Sequence, residues 1–204
     1  MKLIALFSGG IDSPVACAMM SKRFEIVPLH FHTELYAGRE SLERTVESLR
    51  RLGRVCRLNR GILIRWGSFL DLLVKSEYRK FTCLLCKKGM LRAAEVMCEL
   101  EGASGIVTGE ALGQKASQTL PNLLAISHGL RYPVFRPLLG MDKTEIEALA
   151  RKLGIWSPSH AGGCKAVPPS PKTRSDPVTL EKIFAELGLE ERIRTLVDSR
   201  STFF

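Results

Sequence analysis

The sequence predicts an α/β protein built on a parallel five-stranded sheet with helices on both faces. Three observations carry this. Short apolar strand-like runs alternate with amphipathic helical stretches as far as residue 154. The first run, Leu3 to Phe7, shows no polar alternation, as expected of a strand covered on both sides. It leads directly into Ser8-Gly9-Gly10-Ile11-Asp12-Ser13 and then a helix-forming stretch from Pro14, so the first unit reads strand, glycine turn, helix. Pro14 suits a first helical turn, where its missing N–H costs nothing.

The remaining elements follow in order. Glu25 to His32 reads as the second strand, and Arg39 to Leu52 as a helix with Leu42, Val46, Leu49 and Leu52 on one face. Arg54 to Leu58 and Ile62 to Ile64 suggest a third strand bent at Gly61. Helices are expected over Phe69–Tyr78 and Leu84–Leu100. Gly105 to Gly109 is a short buried strand, Glu110 to Ser127 a loop and helix, and Tyr132 to Leu138 the fifth strand. Asp142 followed by Glu145 signals a capped helix start, and that helix stops at Gly154. Between Ser157 and Pro177 lie five of the ten prolines, two adjacent glycines, Cys164, Lys165, Lys172 and Arg174. A connection of that length is read as a functional lid. Two short helices, Thr179–Leu187 and Glu190–Val197, close the chain. The expected organisation is one domain over 1–176, with the lid at 157–177, and a helical extension over 177–204.

The 204 residues suit one well-cored domain. No apolar run approaches the ~20 residues of a membrane span, and the N-terminus lacks a secretory pattern, so a cytoplasmic protein without a membrane partner is expected. Thirty Lys and Arg against 21 Asp and Glu leave a net charge of +9, which favours a polyanionic partner, RNA first. Six cysteines in such a chain argue against structural disulfides. Cys17, Cys56 and Cys98 sit among apolar residues and read as small core side chains. Cys83, Cys86 and Cys164 do not.

The chemistry concentrates at the first turn. Gly9 and Gly10 allow close backbone approach, Ser8 and Ser13 offer hydroxyls, and the helix start supplies free N–H groups and positive dipole: together, a phosphate cradle. The spacing is neither G-x-x-x-x-G-K-[ST] nor G-x-G-x-x-G. Ser-Gly-Gly-x-Asp-Ser is the signature of ATP pyrophosphatases, which split ATP between the α- and β-phosphates. Strand ends at Phe31-His32 and Gly109-Glu110 should converge on this loop, because ligands in such sheets bind beyond the carboxyl ends of the strands.

With these residues in place the chain resembles the PP-loop domain of tRNA 4-thiouridine synthase, in the tRNA uracil 4-sulfurtransferase/thiamine-biosynthesis family, without the THUMP and rhodanese domains. The resemblance rests on Ser8 to Ala16, on Gly109-Glu110-Ala111-Leu112-Gly113-Gln114-Lys115-Ala116-Ser117-Gln118-Thr119-Leu120, and on Arg136-Pro137-Leu138 with Asp142-Lys143. It implies a Rossmann-like sheet of the adenine-nucleotide alpha-hydrolase type. It also implies an ATP-dependent sulfurtransferase that adenylates a tRNA uridine, uridine 8 at O4, and replaces the oxygen with sulfur, releasing AMP and pyrophosphate. Carried over by position, Ser8, Gly9, Gly10 and Ser13 hold phosphate and Asp12 is the essential acid, useful beside phosphates through a Mg²⁺. Leu6, Phe7, Phe31 and His32 line the adenosine; Lys87, Gly109 and Gln118 complete the nucleotide contacts. The alternatives are another PP-loop adenylase, such as a tRNA 2-thiolase or small-molecule synthetase, and a non-catalytic nucleotide- or RNA-binding module.

Cys83-x-x-Cys86 and Cys164 form a second constellation, with Cys164 at the position of the family's catalytic cysteine. Three readings stay open: a 4Fe–4S cluster held by Cys83, Cys86 and Cys164 as in iron–sulfur-dependent thiolases, zinc held by these with His160, or three free thiols. The implied partners are tRNA and a sulfur donor, either sulfide or a persulfide carrier, with a separate RNA-binding subunit or a homodimer to grip the RNA.

Overall fold

The computed structural model describes residues 1–38, 40–157 and 163–204, apart from the Glu34 side chain. Its elements are β1 (Lys2–Leu6), α1 (Asp12–Met20), β2 (Glu25–His32), α2 (Glu34–Ala37), α3 (Ser41–Leu52), β3 (Ile62–Arg65), α4 (Gly67–Lys75), α5 (Thr82–Glu101), β4 (Ile106–Val107), α6 (Leu120–Ser127), β5 (Val134–Phe135), α7 (Lys143–Lys152), α8 (Pro177–Glu186), α9 (Leu189–Asp198) and β6 (Ser201–Thr202). One six-stranded sheet has the order β5-β4-β1-β2-β3-β6. All pairs are parallel except β3 with β6, where Ile62 faces Thr202.

The unbroken apolar run of β1 has a direct cause. Successive side chains point to opposite faces. Ile4 enters the core shared by β2, β3, α4, α5, α6, α8 and α9, whereas Leu3, Ala5 and Phe7 enter the core under α1, α3 and α7. Both faces are dry, so neither admits a polar residue. β1 pairs with β2 on one side and β4 on the other, which puts the Ser8–Ser13 loop at the middle of the sheet's carboxyl edge.

The expected α/β architecture is present, with differences at its edges. The sixth strand was not anticipated: two exposed residues near the C-terminus pair antiparallel to β3, and Phe203 N donates to Gly61 O at 3.1 Å. Residues 54–58 are not strand. Their backbone closes turns instead, with Val55 N and Cys56 N both bonded to Leu52 O. β4 and β5 are two residues each; Pro133 and Pro137 flank β5, and proline has no N–H to give a ladder. The α2 turn was also unforeseen. Arg39, the expected start of the third helix, lies outside the described residues; α3 begins at Ser41. The helix expected over Leu84–Leu100 starts earlier, at Thr82, so Cys83 as well as Cys86 lies inside α5. α7 opens as expected: Asp142 accepts from Glu145 N at 2.9 Å and Glu145 accepts from Asp142 N at 2.7 Å. No helix among the described residues is long and apolar enough to cross a membrane.

The C-terminal helices belong to the core. Leu180, Ile183, Phe184, Leu189, Ile193 and Val197 are all buried against α5 and its neighbours. Lys88 of α5, wholly buried, pairs with Glu181 of α8 at 2.7 Å and donates to His128 O at 3.2 Å.

Candidate functional site

The loop between β1 and α1 is held by its own serines. Ser8 N donates to Ser13 Oγ at 2.9 Å, Ser13 Oγ donates to Ser8 O at 3.2 Å, and Gly10 N reaches Ser8 Oγ at 3.4 Å. The Ser13 hydroxyl is thus engaged inside the loop. Asp12 begins α1, and Ile11 before it gives no side-chain cap to the first turn of the helix. The glycines have different causes. A Cβ on Gly109 would stand 2.6 Å from Ser13 N and 2.7 Å from Asp12 C, so the end of β4 can pass the loop only as glycine. A Cβ on Gly10 would meet nothing nearer than Ser8 Oγ at 3.5 Å. Backbone packing requires Gly109; at Gly10 the space is open. Beside the loop a pocket of about 250 Å³ is lined by Gly9, Gly10, Ile11, Arg44, Ser48 and Arg51, among others.

Charged side chains from three elements gather at this edge. Lys143, first residue of α7, pairs with Asp12 Oδ1 at 2.6 Å. Lys87 of α5 pairs with Glu110 Oε1 at 2.7 Å, and Arg136 Nε with Glu110 Oε2 at 2.9 Å. Thr108 Oγ1 donates to the same carboxylate, and Arg136 also reaches Ser127 Oγ at 2.7 Å. Burial by itself would raise the Glu110 carboxyl, but the charges and hydrogen bonds of Lys87 and Arg136 outweigh it and hold it below the usual carboxylate range. Sequence reasoning missed Glu110, Arg136 and Lys143 as site residues. All three stood in the recognised blocks, but only the fold pairs them with Lys87 and Asp12.

The other positions expected to contact the nucleotide are placed as follows. Leu6 and Phe7 end β1, and Phe31 and His32 end β2. The Phe7 and Phe31 side chains point into opposite cores, so each offers the edge its backbone. His32 O accepts from Trp66 N at 2.7 Å. His30, one turn of the pleat earlier, was not singled out. Its Nδ1 meets Phe7 O at 3.0 Å; a carbonyl only accepts, so Nδ1 carries the proton. Its Nε2 is buried and has no hydrogen-bond partner among the described residues. Burial, chiefly, pushes the imidazole down to about 4, against the Phe7 hydrogen bond. Gln118 is buried in the loop before α6, and its Oε1 has no hydrogen-bond partner among the described residues.

The lid brings the three cysteines into one neighbourhood. Cys83 and Cys86 lie one turn apart at the start of α5. Trp66 Nε1 donates to Cys86 Sγ at 3.3 Å, and burial pushes that thiol up to about 12. Burial, and next the proximity of Cys164, raises Cys83. Cys164 is exposed, and Lys165 N is pinned to Tyr36 O at 2.9 Å. The rest of the lid is threaded between α6 and the turn at 79–81: Asn122 Nδ2 donates to Lys172 O and Lys172 N to Lys80 O, both at 3.2 Å. Lys172 stands over the Phe81 ring, 5.5 Å from its centroid. Among the described residues no three His, Cys, Asp or Glu side chains converge into a group that could hold a metal. As placed, Cys83, Cys86 and Cys164 are neighbours rather than a formed cluster or zinc site. His160, the fourth ligand of the zinc reading, lies outside the described residues.

Residues 1–189 match the family model described as thiamine biosynthesis protein (ThiI). A probable tRNA sulfurtransferase of Methanothermobacter thermautotrophicus is 40% identical over 200 residues, covering 94% of this chain and 51% of the relative. A tRNA sulfurtransferase of Thermoplasma volcanium is 38% identical over 200 residues, covering 94% of this chain and 41% of the relative. The chain thus spans about half the length of the curated relatives it matches. A 4-thiouridine synthetase solved as an RNA complex with bound ATP superposes with a TM-score of 0.88 at 32% identity, over 99% of this chain and 54% of that one. A U34-tRNA thiolase from Methanococcus maripaludis, solved with its [4Fe-4S] cluster, matches at a TM-score of 0.57 and 16% identity, a likeness of fold. The matched family model covers nearly the whole sequence, from β1 through the first residue of α9, and on that ground the chain belongs to the thiamine biosynthesis protein (ThiI) family.

Proposed function

We propose that this chain is the nucleotide-using, thiolating unit of a tRNA sulfurtransferase that converts uridine 8 to 4-thiouridine. One observation carries the reading: the uncapped start of α1 shares the sheet edge with the Asp12–Lys143 pair and the Lys87–Glu110–Arg136 cluster, while the lid holds Cys164 beside Cys83 and Cys86.

The loop formed by Ser8, Gly9, Gly10 and Ser13 takes the phosphates of ATP, with the dipole of α1 behind it. The Lys143 ammonium lies against Asp12 and the Lys87 ammonium against Glu110, each ready to turn toward a polyphosphate that carries more charge than one carboxylate. Asp12 keeps a second carboxylate oxygen for a Mg²⁺, which supplies charge neutralisation when bound with phosphate oxygens. The backbone at Leu6, Phe7, Phe31 and His32 borders the adenosine, Gly109 lets the strand end approach the loop, and Gln118 offers its unpartnered Oε1 to the ligand. The uridine O4 attacks the α-phosphate, pyrophosphate leaves, and the adenylated C4 becomes electrophilic. The exposure of Cys164 and its proximity to Cys83 support sulfur delivery by thiol chemistry. A persulfide on exposed Cys164 attacks C4 and AMP departs with the oxygen. The Cys83 thiol then breaks the S–S bond, leaving 4-thiouridine and a Cys83–Cys164 disulfide, which an external dithiol reduces. Cys86, held by Trp66, sets the position of Cys83 on α5. The domain over 1–176 carries this chemistry, and residues 177–204 brace it.

The test is pyrophosphate release and 4-thiouridine formation with ATP, tRNA and a persulfide donor. Asp12→Ala and Lys143→Ala should each lower tRNA-dependent pyrophosphate release by roughly 10²- to 10³-fold, the scale seen when one charge-stabilising group is lost. Cys164→Ala should keep pyrophosphate release and lose thiolation. Wild-type release by Asp12→Ala refutes the site. Thiolation that requires iron and all three cysteines equally refutes the persulfide route.

A further inference from the structure

The far end of the sheet carries a charge pattern that the phosphate loop does not explain. α1 and α3 both end there, on the same face. The two loops that follow them, 21–24 and 53–60, are packed together: the Ser21 hydroxyl sits against the Cys56 thiol, and Asn59 Nδ2 donates to Glu25 Oε1 at 3.1 Å. Their packing joins Lys22 and Arg23 to Arg54 and Arg57 in one exposed ridge, which Arg50 extends along the last turn of α3. Among the described residues, Lys22, Arg23, Arg54 and Arg57 make no ion pair, and Arg50 reaches Glu47 only at 3.8 Å. The acids nearby are already engaged, Glu25 by Asn59, Glu47 by Arg51 at 3.3 Å and Glu101 by Arg60 of the same loop. Helix-terminus electrostatics accounts for Arg50 and Arg51 but fades within the last turn, so it leaves Arg54, Arg57 and the Lys22-Arg23 pair unexplained. Unneutralised arginines crowded on a tight loop repel one another and persist most readily where a polyanion covers them.

We infer that this ridge is a docking surface for an RNA phosphate backbone, separate from the uridine site. The inference rests on the tRNA-modifying reading for the identity of the polyanion. β2 runs from Glu25 at the ridge to His32 at the site edge, a rise of about 25 Å for eight residues. The uridine and the ridge therefore meet different parts of the nucleic acid, and the ridge makes sequence-independent contacts that position without specifying. Arginine suits this better than lysine, because its planar fork matches a phosphate bidentately.

The experiment measures binding of an unmodified tRNA transcript, by fluorescence anisotropy, across a salt series with wild type and the triple variant Arg23→Ala, Arg54→Ala, Arg57→Ala. All three side chains are exposed, so folding should survive, and a thermal melt verifies it. The expected result is about tenfold or greater loss of affinity at low salt, and a log K against log[salt] slope shallower by about 2 to 3, since each lost phosphate contact removes a little under one unit. The corresponding triple Arg→Lys variant should recover most of the slope and part of the affinity. ATP binding should be unchanged. Wild-type affinity and slope in the triple variant overturn the proposal, including the case in which the ridge docks an acidic protein instead. A wild-type chain that binds RNA through the ridge yet forms no 4-thiouridine refutes the proposed function and leaves the ridge. An active enzyme whose triple variant binds tRNA normally refutes the ridge and leaves the function.

Discussion

Gly109 shows how little room the site leaves at the level of single atoms. A methyl there would lie 2.6 Å from Ser13 N, a backbone atom that cannot swing aside. Gly109→Ala should therefore push β4 and the loop apart, costing roughly 1–3 kcal/mol as overpacking does, and should weaken ATP binding more than stability. Denaturant melts and nucleotide titration of the same variant check both parts. His30 makes the second residue-scale prediction. Its Nδ1–H ties β2 to the carbonyl just before the loop, and burial, above all, keeps the ring neutral down to about pH 4. An unfolded chain binds that proton near its ordinary value of 6.5. Between those values the unfolded state holds more protons, so stability falls as pH drops, by up to about 1.4 kcal/mol per pH unit. His30→Asn keeps a donor near the Nδ1 position and cannot take up the proton. It should flatten the stability profile between about pH 6.5 and 4, as followed by urea melts.

Elements place the charges. α7 starts where it does because Asp142 and Glu145 close a reciprocal capping box, and Lys143 follows as the first helical residue. Asp142→Ala should cost about 1 kcal/mol of stability. It should also lower tRNA-dependent pyrophosphate release more than Thr144→Ala, because the cap fixes where Lys143 stands. Matched thermal melts and rate measurements separate the two effects. α5 does similar work at its own start: beginning at Thr82 puts Cys83 as well as Cys86 on the helix, and sets Lys87 within reach of Glu110.

At the scale of the molecule, the segment after 177 is a buttress that the core depends on. Among the described residues six of its apolar side chains are buried, and its Glu181 pairs with the wholly buried Lys88. Glu181→Gln removes the carboxylate facing a wholly buried ammonium, leaving it the His128 carbonyl, and should destabilise by about 1–3 kcal/mol, whereas adding Lys88→Met should return most of that loss. A thermodynamic cycle of the two single variants and the double reads it directly. Equal stability of Glu181→Gln and wild type would show that α8 is not held through this pair.

Pattern in the chain was enough for the alternation of strands and helices, the central strand, the glycine turn after it and the capped start of α7, because each depends on neighbours within a few residues and on simple periodicities. Ser8–Ser13 could be read because a glycine turn between a dry strand and a helix start has few other uses. The pairing partners could not. Lys143 reaches Asp12 across 131 residues, Arg136 and Lys87 meet on Glu110 only after β4 and β5 align, and β6 exists only because β3 leaves an open edge for it. Residues 54–58 have the composition of a strand, yet the turns off Leu52 take their N–H groups first. The cysteines divide the same way: the sequence singles out three of them, while whether they meet, and how closely, depends on a lid pinned at Tyr36. Local chemistry is written in spacing; long-range contact is decided by how the packed layers bring distant segments to one edge of the sheet.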